Sequence, residues 1–205
     1  MRVLITGFEP YLDYIENSSW VVAEQLSRCA LEGAEVVAEM LPVSFRRVGK
    51  ALRSAIALHT PNLVIMLGQS GGSDRVKLER VALNMMDARN ADNDGYLPDE
   101  EPIDEGKSGA LFCNVDIKAL RAAIAERGVA VKISNSAGLY VCNRTYYEAL
   151  KVCQEQPSLR ALFVHLPFYE GQSTAKPQKP TLPLGDMICA IQTIIEEIND
   201  KDREV

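Results

Sequence analysis

Five consecutive apolar residues, Leu63-Val64-Ile65-Met66-Leu67, run straight into Gly68-Gln69-Ser70-Gly71-Gly72-Ser73. An unbroken apolar run of strand length leaves no side for water, so it belongs at the centre of a sheet covered on both faces. Such a sheet needs helices above and below it, and the chain supplies strands and helices in alternation. Strands are expected over 2–6, 35–43, 79–84, 129–133 and 159–166. Ser18 or Ser19 caps a helix over 20–30, and Ser44 caps one over 45–58 that His59-Thr60-Pro61 ends. Further helices are expected over 116–127, ended by Gly128, over 141–152, and over 184–198, leaving 199–205 as a frayed, solvated end. This order argues an α/β fold with a mostly parallel sheet and helices on both faces. With 205 residues, 47% of them hydrophobic, and no linker, residues 1–205 are expected to form one domain.

The net charge of −6, with no basic cluster, argues against a nucleic-acid partner. No apolar run approaches the ~20 residues of a membrane span. The start, Met1-Arg2-Val3-Leu4-Ile5-Thr6-Gly7, is too short in apolar length for a signal peptide. Five cysteines, an odd number without a Cys-x-x-Cys pair, fit free thiols in a reducing, cytoplasmic compartment.

One stretch concentrates candidate chemistry. Ser134-Asn135-Ser136-Ala137-Gly138 is a small, polar turn between the strand over 129–133 and a helix whose apolar face carries Val141, Thr145, Ala149 and Val152. Cys142 therefore falls in a first helical turn, where unpaired N–H groups and the helix dipole favour thiolate over thiol. The same N–H groups suit an oxyanion. From this stretch alone two readings stand: a nucleophile, or a buried cysteine packing in an ordinary helix. Only two histidines are available as a base. His165 ends the last strand on its carboxyl side, where successive parallel strand ends lie together and ligands bind. His59 ends a helix at the opposite sheet edge. A third group that orients the imidazole would complete the set. Glu79 is a candidate, although by pattern alone it reads as a surface carboxylate at a strand start. The polar segment 87–108 is too long for a plain connection. Its Asn90-x-Asp92-x-Asp94-Gly95 spacing with Glu101 approaches a calcium loop, but Pro102 and Gly106 replace the exiting helix, so a solvated acidic loop is expected. The Gly68–Gly72 run matches neither phosphate-loop spacing.

Several segments resemble the type I pyroglutamyl peptidases. They are Thr6-Gly7-Phe8-Glu9-Pro10 with Asn17-x-Ser19-Trp20, Gly68-x-x-Gly71, Glu79-Arg80-Val81-Ala82-x-Asn84, Asp87-Ala88-Arg89, Asp92-Asn93-x-Gly95, Ser134 to Asn143, and Phe163-Val164-His165-Leu166-Pro167-Phe168. They follow the family's order and spacing over almost the whole chain. The resemblance implies a single-domain α/β/α sandwich and a Cys–His–Glu triad on Cys142, His165 and Glu79. The implied reaction is hydrolysis of the amide after an N-terminal pyroglutamyl residue, through a thioester and without metal or cofactor. The implied substrate pocket is apolar, with Phe8 and Tyr11 at its aromatic positions, a backbone partner at Gln69, and Arg89 near the catalytic centre. A homotetramer is implied as well; the sequence itself carries no sign of assembly.

Departures from the family pattern concern the pocket more than the triad. Tyr11 adds a hydroxyl to a phenylalanine position, and Leu12-Asp13 stands where two glycines are usual. Val43 replaces a threonine, Lys77 a small hydroxyl residue, and Ser108-Gly109 a Gly-Pro pair. With the triad residues present, the alternatives left open are another N-blocked or lactam substrate and an inactive binding module.

Overall fold

The computed structural model describes residues 1–107, 109–172 and 179–203. The main sheet has six strands. They are β1 (Arg2–Phe8), β2 (Glu35–Leu41), β3 (Leu63–Gln69), β4 (Val76–Glu79), β7 (Val131–Ser134) and β8 (Arg160–Leu166), in the order β2-β1-β3-β8-β4-β7. The apolar run that the sequence places at the centre is β3, flanked by β1 and β8 in parallel register.

Strand alternation divides the core in two. Val3, Ile5, Leu63, Ile65, Leu67, Leu162, Val164 and Leu166 point to one face. That face is covered by α1 (Ser18–Ser27), α3 (Ile117–Glu126) and α5 (Leu184–Arg203). Leu4, Phe8, Val64, Met66, Ala161 and Phe163 point to the other face, under α2 (Val48–His59) and α4 (Val141–Glu155). The result is the layered α/β/α arrangement with a largely parallel sheet. Among the described residues, no helix is long and apolar enough to cross a membrane.

Several expectations need correction. The strand expected over 79–84 is two strands. β4 ends at Glu79 and lies antiparallel to β8 but parallel to β7. β5 (Val81–Leu83) leaves the main sheet to pair with β6 (Ala110–Phe112). The break falls at Arg80, whose N–H donates to the Ser134 carbonyl while its own carbonyl accepts from Cys113 N–H. The chain changes partners there, and its apolar alternation changes phase, from Val76 and Leu78 to Val81 and Leu83.

The cap of α1 is Asn17, not Ser18 or Ser19. Its side chain accepts from Ser19 N–H at 3.1 Å, and the Ser19 hydroxyl is taken by Phe8 N–H. α2 starts at Val48, not at Phe45, because the Phe45 N–H is held by the buried Asp92 carboxylate at 2.8 Å. Ser44 accepts from Arg47 N–H instead, within the turn before the helix. At the carboxyl end, α5 continues through the buried Asn199 to Arg203, so the expected fraying does not begin at 199. Residues 204–205, Ser108 and the middle of the polar loop after Pro167 lie outside the described residues. That loop includes two short parallel strands, β9 (Phe168–Tyr169) and β10 (Thr181–Leu182).

Most of the acidic segment is exposed, as expected of a solvated loop, but its course is fixed by two carboxylates. Asp92 is buried, and its carboxylate accepts from the N–H groups of Phe45, Asp94 and Tyr96. Asp94 is gripped by Ser44 and by both ends of the Arg47 guanidinium. These carboxylates organise backbone and pair with arginine.

Candidate active site

Residues from four elements converge at the carboxyl edge of β1, β3 and β8. His165 lies near the end of β8, almost wholly buried, on the face that carries Phe163. The Phe163 and His165 ring centroids are 4.9 Å apart. Both rings press against Gly68: a Cβ there would meet Phe163 ring carbons at 2.8 Å and His165 Cδ2 at 3.0 Å. Only glycine fits that approach.

Glu79 reaches His165 from the end of the reversed strand β4. Its Oε1 accepts from His165 Nδ1 at 2.8 Å. A carboxylate only accepts, so Nδ1 carries a proton in either charge state of the ring, and Nε2 is the atom that takes up and gives back a proton. Glu79 is fully buried, and Oε2 has no hydrogen-bond partner among the described residues. Tyr146, one turn into α4 from Cys142, donates to the Glu79 carbonyl at 3.0 Å and so ties the helix to β4.

Cys142 occupies the second position of α4, half-buried, after the N-cap Tyr140. Burial lowers the affinity of His165 for a proton. Hydrogen bonds to Cys142 and Glu79, then their charges, outweigh it and raise the imidazole to a pKa of about 9. The structure thus brings Cys142, His165 and Glu79 together.

The route to that meeting differs from adjacent parallel strand ends. β4 lies between β7 and β8, and β7 runs opposite to β8. The turn after Ser134 carries the chain back to the catalytic edge, with Gly138 at φ 79°. Gly138 N–H is held by the Ser136 hydroxyl. Asn143 anchors the arrival: its amide exchanges hydrogen bonds with Leu83 N–H and C=O at 2.8 Å and donates to Met85 C=O at 2.9 Å. A buried asparagine acting as a strand edge was not assigned a role from sequence. Nothing in the sequence marks it out, since it is one polar residue among several on this helix, with Arg144, Glu148 and Lys151.

Cys142 and His165 form one end of a pocket of about 200 Å³. Phe8, Tyr11, Asn17, Val43, Gln69 and Tyr140 line the rest with Ala137 and Val141. The expected residues Phe8, Tyr11 and Gln69 are therefore in the wall, and so is Val43. Tyr140, missed as a wall residue, packs on Tyr11 at 5.2 Å and edge-on to Phe45 at 5.0 Å. Its hydroxyl donates to Ala91 C=O at 3.1 Å, which ties the 87–108 segment to a residue of the pocket wall. Tyr14 packs on Phe168 instead and does not line the pocket. Arg89 is exposed and stands outside the lining, so the structure does not bring it to the pocket. His59 lies at the far edge of the sheet, with Nε2 2.7 Å from Glu39.

The Gln69 side chain has its own task. Its Oε1 accepts from Ser18 N–H at 2.9 Å, at the start of α1, and from Gln172 at 2.6 Å. Leu12, in place of a glycine, nevertheless holds the left-handed backbone that glycine favours, at φ 56°. The loop keeps a glycine-like course with a leucine in it.

A thiol beside a carboxylate-held imidazole, at one end of a small pocket in an α/β/α layer, is the arrangement of a cysteine hydrolase. The chain belongs to the pyroglutamyl peptidase family, whose model matches residues 1–201. It is 40% identical over 197 residues to a pyrrolidone-carboxylate peptidase of Thermococcus onnurineus, covering 96% of this chain and 98% of that protein. A namesake from Gloeobacter violaceus is 36% identical over 201 residues, covering 98% of each chain. Among solved structures, the pyrrolidone carboxyl peptidase of Thermococcus litoralis superposes with a TM-score of 0.92 at 31% identity, covering 98% of this chain and 96% of that one. Pyroglutamyl peptidase I of Bacillus amyloliquefaciens gives 0.89 at 33% identity, covering 94% and 93%.

Proposed function

We propose that the protein is a cysteine peptidase that hydrolyses the amide bond after an N-terminal pyroglutamyl residue, with Cys142 as nucleophile, His165 as acid and base, and Glu79 as the group that orients His165. The observation that carries this reading is the pocket's chemistry. Apart from the Cys142–His165 end, no ionisable acid or base but tyrosine lines it among the described residues. An ordinary peptide N-terminus brings an ammonium that needs a carboxylate. A pyroglutamyl ring brings a neutral lactam that needs apolar walls and a few hydrogen bonds. Family membership supports the same conclusion.

In this mechanism His165 Nε2 takes the Cys142 thiol proton, the sulfur attacks the pyroglutamyl carbonyl, and N–H groups of the first turn of α4 stabilise the oxyanion. His165 hands its Nε2 proton to the leaving amine and then takes one from the water that cleaves the thioester. Glu79 holds the proton on Nδ1 and stabilises the imidazolium. Phe8, Tyr11 and Gln69 are assigned to the lactam pocket. Arg89 is assigned a place near the catalytic centre on family membership alone. A cytoplasmic location, where the thiol stays reduced, and a homotetramer complete the reading; sedimentation at micromolar concentration tests the assembly.

The experiment is turnover of a chromogenic pyroglutamyl amide beside the matching prolyl amide, which lacks the lactam carbonyl and carries a charged amine. Hydrolysis of the first alone supports the reading. Equal hydrolysis of both, or of neither by the folded protein, refutes it.

A further inference from the structure

The side of His165 away from the lactam pocket carries a charge that the reaction as described does not use. β4 alternates: Val76 and Leu78 enter the core under α1, α3 and α5, so Lys77 and Glu79 share the opposite face. In the β4–β8 pairing Lys77 stands directly opposite His165. Opposed residues on one face have Cβ atoms about 4.5–5.5 Å apart. Lys77 Nζ donates to the Ser70 hydroxyl at 2.8 Å. Ser70 follows β3, and β8 lies between β3 and β4. To reach it, the lysine stem must cross the end of β8, which brings the ammonium to the rim beside His165.

The pocket lies on the β1 and β3 side of His165, through Phe8 and Gln69. His165, assigned above to protonate the leaving amine, stands between that pocket and β4. The β4 side is cationic. Lys132 on β7 pairs directly with Lys77 in register, and Lys179 approaches Gly71 and the Phe168 ring. Like charges set directly opposite one another weaken a sheet. Among the described residues, neither Lys77 nor Lys132 has an ion pair. The nearby carboxylates are engaged, Asp74 by Arg75 and Glu79 by His165. Burial, then Lys132, lower the proton affinity of Lys77 against the upward pull of Glu79 and Asp74, as expected for a half-desolvated cation without a counter-ion.

We propose that Lys77 is a specificity residue that selects substrates with a carboxylate on the residue after the pyroglutamyl group. This inference rests on the peptidase reading above. The carboxylate has two sources: the free C-terminus of a dipeptide, or an acidic side chain. Ser70, whose oxygen accepts from Lys77, keeps its own proton to donate to the same group.

The test compares kcat/KM for two substrate pairs. Pyroglutamyl-alanine against its amide varies the main-chain carboxylate. Pyroglutamyl-glutamate α-amide against pyroglutamyl-glutamine α-amide varies the side-chain one. The wild type should favour the acid of at least one pair by about tenfold, as for one charge-assisted hydrogen bond. Lys77→Met should bring that ratio to about one, and the ratio cancels any general loss of rate. Raising salt to about 1 M, where the Debye length is ~3 Å, should shrink the wild-type ratio, which serves if the variant fails to fold. Wild-type ratios near one in both pairs overturn the proposal, as does a preference that survives in Lys77→Met. Failure to hydrolyse all four substrates is a different result: it refutes the peptidase reading and this inference with it.

Discussion

Replacing Glu79 by glutamine changes one atom and one charge, and the structure says which way the new amide must face. Oε1 accepts from His165 Nδ1–H, while Oε2 is buried without a partner among the described residues. An NH2 group at the Oε2 site would be a buried, unpaired donor, which costs about 1–3 kcal/mol. The amide of Glu79→Gln therefore turns its NH2 toward His165. The imidazole must then accept at Nδ1 and carry its proton on Nε2, where it cannot take a proton from Cys142. A preference of 1–3 kcal/mol leaves the working tautomer as a minor form by about 5- to 150-fold. Loss of the carboxylate charge also lowers the imidazole's proton affinity, by about 1–3 pKa units for a close opposite charge.

Glu79→Gln is thus expected to reduce kcat by about 10²- to 10⁴-fold with little change in KM. The pH profile gives a second reading of the same variant. His165 sits at about 9, raised by its bonds to Cys142 and Glu79 against the pull of burial. The wild-type rate should fall as pH rises through about 9, where the acid for the leaving amine is lost. In Glu79→Gln that limb should move to lower pH. The assay is steady-state hydrolysis of a chromogenic pyroglutamyl amide from pH 5 to 10.5, with circular dichroism as the check on folding. A variant within tenfold of wild type, with its alkaline limb unmoved, would refute the reasoning.

Gly68→Ala should cost about 1–3 kcal/mol, because its Cβ meets the Phe163 ring at 2.8 Å in a core that cannot yield. Thermal unfolding should show a loss of roughly 2–4 °C per kcal/mol, and kcat should fall as His165 shifts. Leu12→Gly should be neutral or stabilising by up to about 1 kcal/mol. Relief of a left-handed leucine, worth about 1–2 kcal/mol, outweighs the added freedom of the unfolded glycine, and Leu12 is 58% exposed, so little burial is lost. A melting temperature lowered by several degrees would count against that.

What the sequence made legible follows from how local each signal is. The unbroken run of β3 and the apolar face of α4 are statements about neighbours in the chain, and both elements lie where their periodicity puts them. The reversal of β4 is not local. Its four residues run on toward β5 with no turn residue between them, and the exchange of partners at Arg80 is made by contacts distant in the chain, with Ser134 and Cys113. That reversal matters to the site, because it lets Glu79 and Lys77 flank His165 on one face. The start of α2 was misread for a similar reason: the group that holds Phe45 N–H is Asp92, far along the chain. At the site, Cys142 and His165 stood out through scarcity and position, and Glu79 through resemblance alone. Tyr140, Asn143 and Tyr146 carried no sign, since a tyrosine or asparagine in a helix start looks the same whether it faces water, a pocket or a strand edge.

The central claim is that Cys142 attacks the pyroglutamyl carbonyl. The most direct test is hydrolysis of a chromogenic pyroglutamyl amide by wild type, Cys142→Ala and, as a control for thiol loss elsewhere, the exposed Cys29→Ala. Wild type and Cys29→Ala should turn the substrate over, and folded Cys142→Ala should show background rates only. Turnover that survives in Cys142→Ala would contradict it.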